Sequence, residues 1–257
     1  MRSGPGHDSA SRRDQNEPEP RTRSPTPSAI VDRVRIRERS GRGARRLTVA
    51  ALVVLAASCG ASPTVSLSPG WPGRGGDYGE VHRAWTRAGT LRDRFDQVLS
   101  VHATLMSPAW RTAWVDRRVA VERLSATARA ALLAAQRQSD AEHYEVALMI
   151  TTYDRTENDL HRGDKSVWRV TLIDDHGVEL EASEIVEDRR PEQIIRAQFP
   201  DLEDFGSAYL ARFPRRVELL RPDARAVQLR ISSARGAVML AWKAPCPAFQ
   251  VSVASSC

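Results

Sequence analysis

Apolar residues recur at every third or fourth position from residue 80 to residue 140, which is the spacing of amphipathic helices. Gly89 interrupts this pattern, so we expect two short helices that meet there. Ser107-Pro108 starts a longer helix, because Ser is a good helix cap and Pro fits the first turn. The sequence therefore predicts an antiparallel pair or trio of helices over residues 80–140.

Two sets of side chains define the inner face of these predicted helices. The first set is Val81, Trp85, Ala88, Leu91, Phe95, Val98, Leu99 and His102. The second set is Trp110, Trp114, Val121, Leu124, Ala128, Ala131, Leu132 and Ala135. We interpret Trp85, Trp110 and Trp114 as core, because Trp has a large area to bury. The alternative is an aromatic ligand pocket or a membrane-facing belt.

From residue 143 the apolar period changes to two, which is typical of strands with one buried face. The predicted strands lie at 144–150, 168–172, 178–182, 209–213, 227–231 and 238–242. Gly177 and Gly236 are placed to close hairpin turns, where a positive φ is needed. The alternation favours antiparallel pairing, so residues 141–245 are predicted to form a β-sandwich that resembles the immunoglobulin-like class. A small barrel is the alternative, and the fold class is α+β either way.

A long connection separates the third predicted strand from the fourth at residues 187–206. It contains one helical turn, residues 191–197. Long connections in sandwiches either carry function or cross between sheets, and both interpretations stay open.

The charge of the chain is concentrated at its N-terminus. Residues 1–46 hold 12 of the 38 Lys and Arg residues and 6 of the 32 Asp and Glu residues, so they carry the whole net charge of +6. The remainder is formally neutral, which argues against a nucleic-acid-binding domain. Residues 1–41 have few apolar side chains to bury, and we expect a disordered basic tail. The alternative is that translation starts at Val31 or Val34.

Residues 42–58 are typical of a bacterial export signal. A cluster of arginines, Arg42, Arg45 and Arg46, precedes a run of twelve uncharged, mostly apolar residues, 47–58. A membrane-spanning helix needs about 20 apolar residues, so this run is too short to cross. Small residues and then Cys59 follow, in the order that a cleavage site requires.

The segment from Leu55 to Cys59 resembles the lipobox of bacterial lipoproteins. That family usually has Leu three places before the Cys, and here this place is Ala56. The resemblance implies that signal peptidase cuts before Cys59 and that the Cys59 thiol carries a diacylglyceryl group, which anchors the chain in the membrane. It also implies the outer membrane rather than the inner one, because Gly60 stands where the inner-membrane retention signal has Asp.

Residues 59–79, rich in Gly, Pro and Ser, are then predicted to be a flexible tether. Three alternatives to the lipoprotein interpretation stay open: an ordinary secretion signal, an uncleaved signal anchor of a single-pass membrane protein, and a buried helix of a cytosolic protein.

Cys246 and Cys257 lie in the C-terminal tail, residues 246–257. An exposed thiol is a liability in an oxidising envelope, so we predict that the two cysteines pair with each other. The alternative is two free thiols on a frayed terminus.

The chain has few residues in patterns that carry chemistry. It lacks the sequence motifs of serine hydrolases, zinc peptidases and phosphate-binding loops, and we predict no catalytic residue, no metal site and no cofactor. His82 and His102 are considered as metal ligands, but no third ligand is in register with them. Residues 154–164 form an acidic loop that we interpret as a solvated turn rather than a calcium site.

These features together resemble the helix-plus-β-sandwich lipoproteins of the bacterial envelope. We expect a non-enzymatic binding or structural module whose partners are the membrane, through the lipid, and an envelope protein or polysaccharide, but not nucleic acid. A protein partner is expected at exposed strand faces or at the 187–206 connection. The alternative is an envelope enzyme or a small-ligand or metal binder with a pocket between the helices and the sandwich, near His102 or His143.

Overall fold

Two antiparallel sheets and a set of α-helices make up the computed structural model, which describes residues 63–94 and 96–245. The elements in this part of the chain are α1 (Tyr78–Trp85), β1 (Thr86–Asp93), β2 (Asp96–Leu105), α2 (Pro108–Glu122), α3 (Ala126–Glu142), β3 (His143–Thr152), β4 (Arg169–Ile173), β5 (Glu179–Glu181), β6 (Glu184–Glu187), α4 (Glu192–Gln198), β7 (Ser207–Pro214), β8 (Ala226–Ser233) and β9 (Gly236–Lys243). The α+β class predicted from the sequence is confirmed.

The first sheet has the strand order β1-β2-β3-β7-β6, and the second has the order β5-β4-β8-β9. Strand β3 lies at the centre of the first sheet and is buried on both faces. One face, with Val146 and Leu148, packs in the core shared with the second sheet. The other face, with Glu145, lies under the helices. The order of layers is therefore helices, first sheet, second sheet.

Residues 86–105 form a β-hairpin, so the helices predicted at this place are wrong. Between residue 63, where the described part begins, and β1, the one helical segment is Tyr78–Trp85. Strand β2 pairs with β1 along its length and with β3 from Leu99 to Leu105. An interior strand with two buried faces has consecutive apolar residues, and such a run imitates helical spacing. The domain boundary predicted near residue 141 is wrong for the same reason, because β1 and β2 belong to the first sheet.

Gly89 marks the place where β1 of the first sheet comes closest to β9 of the second. A Cβ atom at this position would lie 2.6 Å from Val238 Cγ1 and 2.8 Å from Leu240 Cδ2. The missing side chain therefore allows the two sheets to approach each other.

Residues 63–77, predicted as part of a flexible tether, pack against the folded part instead. Val65 and Leu67 are buried, and the Val65 amide donates to the Lys243 carbonyl over 2.9 Å. The buried guanidinium of Arg87 donates to the Pro63 carbonyl over 2.6 Å. Composition predicted flexibility here, but two apolar side chains at alternate positions supply enough burial to hold the segment.

Helices α2 and α3 run antiparallel, with Arg129 bonded to Asp116 and Arg111 bonded to Gln136. Ser107 caps α2, as the sequence predicts, and its hydroxyl accepts from the Trp110 amide. The two helices are separated at Arg123, whose φ of 53° is left-handed. Within the described residues, no helix has the length and apolar character needed to cross a membrane.

A buried charge network fastens α2 and α3 to the first sheet. Arg111 is buried on α2 and donates to Glu145 of β3 over 2.7 Å, while Arg212 of β7 donates to the same carboxylate over 3.0 Å. Burial alone raises the pKa of Glu145, but Arg111 and the hydrogen bonds outweigh it and leave the pKa below its usual value. On α3, Asp140 accepts from Arg215 over 2.9 Å. These pairs fix the helices in one orientation on the sheet.

Candidate functional site

The three cysteines that the sequence analysis singles out lie outside the described residues. Cys59 precedes them, and Cys246 and Cys257 follow them. The basic tail, residues 1–41, and the export signal, residues 42–58, also lie outside. Lipidation of Cys59 and pairing of Cys246 with Cys257 therefore stay predictions.

His82 and His102 do come together, but they meet around a carboxylate. His82 is 2% exposed, and its Nε2 lies 2.6 Å from Asp201 Oδ2. Its Nδ1 lies 3.1 Å from Trp110 Nε1, which is only a donor, so Nδ1 accepts and Nε2 carries the proton. His102 Nδ1 lies 3.9 Å from Asp201 Oδ1. The hydrogen bond between His82 and Asp201 is the main reason that the pKa of Asp201 is below its usual value.

This arrangement does not have the geometry of a catalytic relay. A relay needs the nucleophile on one ring nitrogen and the carboxylate on the other. Here the Thr86 hydroxyl and Asp201 both face His82 Nε2, while Trp110 occupies Nδ1. The cluster therefore holds the segment after α4 against α1, and its chemistry is structural.

The acidic side chains of the loop at residues 154–164 do not converge on one point. Asp154 caps a short turn by accepting from Thr156, and Asp159 is buried and accepts from Ser166. Asp164 is fully exposed. No group of three or more His, Cys, Asp or Glu side chains in the described ranges has a geometry that holds a metal ion.

A pocket does lie beside His143, as the enzyme alternative expects. It has a volume of about 370 Å³ between α3 and the first sheet, next to Glu145 and Arg212. The only nearby hydroxyl, Ser139 Oγ, donates to Glu145 over 2.9 Å. Glu145 also accepts from Arg111 and Arg212, and its pKa is below the usual value, so it is a poor base for the Ser139 hydroxyl.

The tryptophans divide between core and surface. Trp85 and Trp110 are buried, as the sequence predicts, and Trp110 stacks on Phe199 with ring centres 5.4 Å apart. Trp114 is half-buried. It packs against Tyr78 and Trp110 with one part of its ring and lines an open groove with the rest.

This groove, which we call the helix groove, has a volume of about 680 Å³ and lies between α2, α3 and α4. It is lined by Trp114, Arg117, Arg118, Val121, Glu122, Gln136, Arg190, Gln193, Ile194, Ala197 and Gln198. Val121 of α2 is 74% exposed and Ile194 of α4 is 51% exposed. Two large aliphatic side chains from different helices thus border the same groove and are exposed to solvent.

The rim of the helix groove is basic. Arg118 is bonded to Glu122 over 2.8 Å, and Arg190 is bonded to Asp188 over 2.6 Å. Arg117 makes no ion pair within the described part of the chain, and its guanidinium lies 4.7 Å from the centre of the Tyr78 ring. A cation on an aromatic face keeps its charge available to a ligand.

Sequence reasoning anticipated part of this groove. The helical turn at 191–197 is confirmed as α4, and the 187–206 connection was expected to bind a partner. Val121 was placed wrongly in the core. The sequence did contain a signal that α4 exposes an apolar side chain, namely the adjacent pair Ile194 and Ile195. Adjacent residues of a helix point about 100° apart, and a helix this short cannot bury both. Ile195 is buried and Ile194 is not.

Comparisons of the chain with protein-family models, with curated proteins and with solved structures found no match.

Proposed function

We propose that this chain is a lipid-anchored protein of the bacterial cell envelope and acts as a non-enzymatic binding module. The export signal at residues 42–58 and the lipobox that ends at Cys59 support the anchor. Gly60 favours the outer membrane. In this proposal the helix groove is the docking site for an acidic amphipathic helix of an envelope protein.

The exposure of Val121 and Ile194 across one groove carries the docking proposal. Contact with water is unfavourable for large aliphatic side chains, and burial against a partner lowers the free energy. Contiguous exposed side chains of this kind mark interaction sites. Trp114 adds an aromatic floor between them. A helix that inserts apolar side chains at positions i, i+3 and i+4 fits such a groove between helices.

Charge complementarity selects the acidic partner. Three guanidinium groups, those of Arg117, Arg118 and Arg190, line the groove with a single carboxylate, Glu122. A partner with Glu or Asp beside its apolar face pairs with Arg117 without displacing an existing ion pair. A basic partner meets repulsion mainly from Arg117, because Arg118 and Arg190 are already paired with Glu122 and Asp188.

The two antiparallel sheets support a further part of this proposal, the immunoglobulin-like sandwich. In that class two sheets face each other over a common core. Here β1 of the first sheet meets β9 of the second sheet at Gly89. The helices on the outer face of the first sheet are an addition to that plan, and they form the groove.

A peptide pair of matched shape and opposite charge tests the groove. The full chain is held in nanodiscs of neutral lipid, and binding of a labelled helical peptide is followed by fluorescence anisotropy. The peptide has Leu at positions i, i+3, i+4 and i+7 and Glu at the flanks. We expect Val121→Glu and Ile194→Glu each to weaken binding by about tenfold. The control Val167→Glu changes an exposed valine outside the groove and should leave binding unchanged.

The charge-reversed peptide, with Lys in place of Glu, makes the test specific. It should bind the natural chain weakly and bind Arg117→Glu better than the Glu peptide does. Arg225→Glu, at an exposed arginine elsewhere, should not invert the preference. Equal binding of both peptides, or no effect of the valine and isoleucine changes, would contradict the docking proposal.

A further inference from the structure

A second pocket lies at the end of the sheets where three segments meet, and we call it the tip pocket. It has a volume of about 500 Å³ and is lined by Asp93, Asp96, Val98, Tyr153, Asp154, Arg155 and Arg235. The β1–β2 turn, the end of β3 and the β8–β9 turn each contribute to it. The volume is within the range of small-molecule sites, and function often resides in turns held by a rigid sheet.

Two exposed aromatic rings stand at this pocket. Tyr153 is 78% exposed and lines the pocket, and Phe205 is 79% exposed. Phe205 does not line the pocket itself, but the guanidinium of Arg155, which does, lies 5.0 Å from the centre of the Phe205 ring. Phe205 has a φ of 65°, a left-handed conformation that is strained for a residue with a large side chain. An exposed aromatic residue on strained backbone is a mark of a functional position.

The polar groups of the tip pocket include both hydrogen-bond acceptors and donors. Asp93, Asp96 and Asp154 offer carboxylate oxygens and Arg155 offers guanidinium donors, while Arg235 is already paired with Glu157. Arg155 has no ion-pair partner in the ranges that the structure describes. Hydrogen bonds from Thr156 hold the pKa of Asp154 below its usual value, so this carboxylate is an acceptor at neutral pH.

We propose that the tip pocket binds an uncharged saccharide. A sugar ring has an apolar face of C–H groups, which stacks on Tyr153 or Phe205, and an edge of hydroxyl groups that both donate and accept. Carboxylates accept from hydroxyl groups and guanidinium groups donate to them, so the two kinds of side chain at the rim match one ligand.

Other ligand classes fit the same residues less well. A quaternary ammonium group has no oxygen that could accept a hydrogen bond from Arg155, and it is repelled by the charge of this guanidinium. An anionic ligand meets three carboxylates. The pocket also lies at the opposite end of β9 from Val65, which is the described segment nearest to Cys59. With eight residues in β9, this separation is about 23 Å, so a chain held by Cys59 presents the pocket away from the membrane.

The test uses the full chain in neutral nanodiscs and uncharged trisaccharides of glucose and of N-acetylglucosamine as probes, followed by saturation-transfer NMR at about 10 mM ligand. We expect at least one trisaccharide to bind. Tyr153→Ala and Asp96→Asn should each weaken that binding by about tenfold. The matched controls Val178→Ala and Asp164→Asn alter exposed side chains outside the pocket and should bind as the natural chain does.

Phe205→Gly separates binding from folding, because Gly relieves the left-handed strain while it removes the ring. The protein should stay folded by circular dichroism and lose saccharide binding. No saturation transfer from any trisaccharide, or unchanged binding in Tyr153→Ala and Phe205→Gly, would overturn the proposal. So would stronger binding of tetramethylammonium than of the sugars. The peptide test of the helix groove is independent of each of these results, since no lining residue is shared between the two pockets.

Discussion

At the scale of single residues, His82 joins three segments that are far apart in the chain. Its two ring nitrogens bond to Trp110 of α2 and to Asp201 beyond α4, while its backbone belongs to α1. Tyr78 packs on the same imidazole and donates to the Gln198 carbonyl. Burial raises the pKa of Tyr78, so its hydroxyl keeps the proton it donates. These contacts hold α4 in place, and α4 provides one wall of the helix groove.

The lowered pKa of Asp201 makes this junction sensitive to acid. A carboxyl group whose pKa is lower in the folded chain than in the unfolded chain stabilises the fold above the unfolded value of about 3.9. That contribution is lost as the pH falls through the folded value. We expect Asp201→Asn to lower the free energy of unfolding by about 1 to 2 kcal/mol at pH 7, the size of a hydrogen bond to a charged group.

Thermal unfolding at pH 7 and at about pH 3 checks this prediction. The difference in melting temperature between the natural chain and Asp201→Asn should become smaller as the pH falls. Asp204→Asn is the matched control, because its carboxylate is 84% exposed and pairs only at the surface with Arg196. A gap that stays constant with pH would mean that the ionised form of Asp201 does not stabilise the junction.

At the scale of elements, the β1–β2 hairpin shows what a single sequence reveals and what it does not. Strands β3, β4, β5, β7, β8 and β9 were predicted, because large apolar residues alternate along each of them and glycines mark the turns before β5 and β9. Strand β2 was predicted as helix because its two faces are buried, one under the helices and one in the core shared with the second sheet, so that its apolar residues do not alternate with polar ones. Strand β6 was not predicted at all, since it has only four residues and its two apolar residues, Ile185 and Val186, are adjacent rather than alternating.

The crossing of β1 and β9 gives a prediction at this scale. Gly89→Ala would bring a methyl group within 2.8 Å of both Val238 and Leu240. The sheets must then move apart, and overpacking of this kind lowers the free energy of unfolding by about 1 to 3 kcal/mol. Urea unfolding measures the change.

Gly70→Ala is the matched control for this change. A Cβ at Gly70 has its nearest neighbour 3.8 Å away, which is ordinary contact, so stability should change little. Equal stability of Gly89→Ala and the natural chain would contradict the close approach of the two sheets.

At the scale of the whole molecule, the packed segment at residues 63–77 changes the picture of the anchor. Cys59 lies four residues before Pro63, and a fully extended stretch of that length spans only about 14 Å. In the proposed lipoprotein, a lipid on Cys59 would therefore hold the folded part closer to the membrane surface than a flexible tether over residues 59–79 would.

The functional sites were predictable in outline only. The 187–206 connection was considered as a place for binding or as a crossing between sheets, and α4 and Phe205 both lie in it. The pockets themselves were not predictable, because each is formed by residues that are adjacent only in the folded chain. Val121 and Ile194 are separated by more than seventy positions in sequence, and Asp93 and Arg235 by more than one hundred.

The intact mass of the protein extracted from its own membranes tests the central claim, that Cys59 anchors a folded binding module in the envelope. We predict a chain that begins at Cys59 and carries added acyl mass, and a Cys59→Ser variant that carries none. A mass that retains residues 42–58 without acylation would contradict the lipoprotein account.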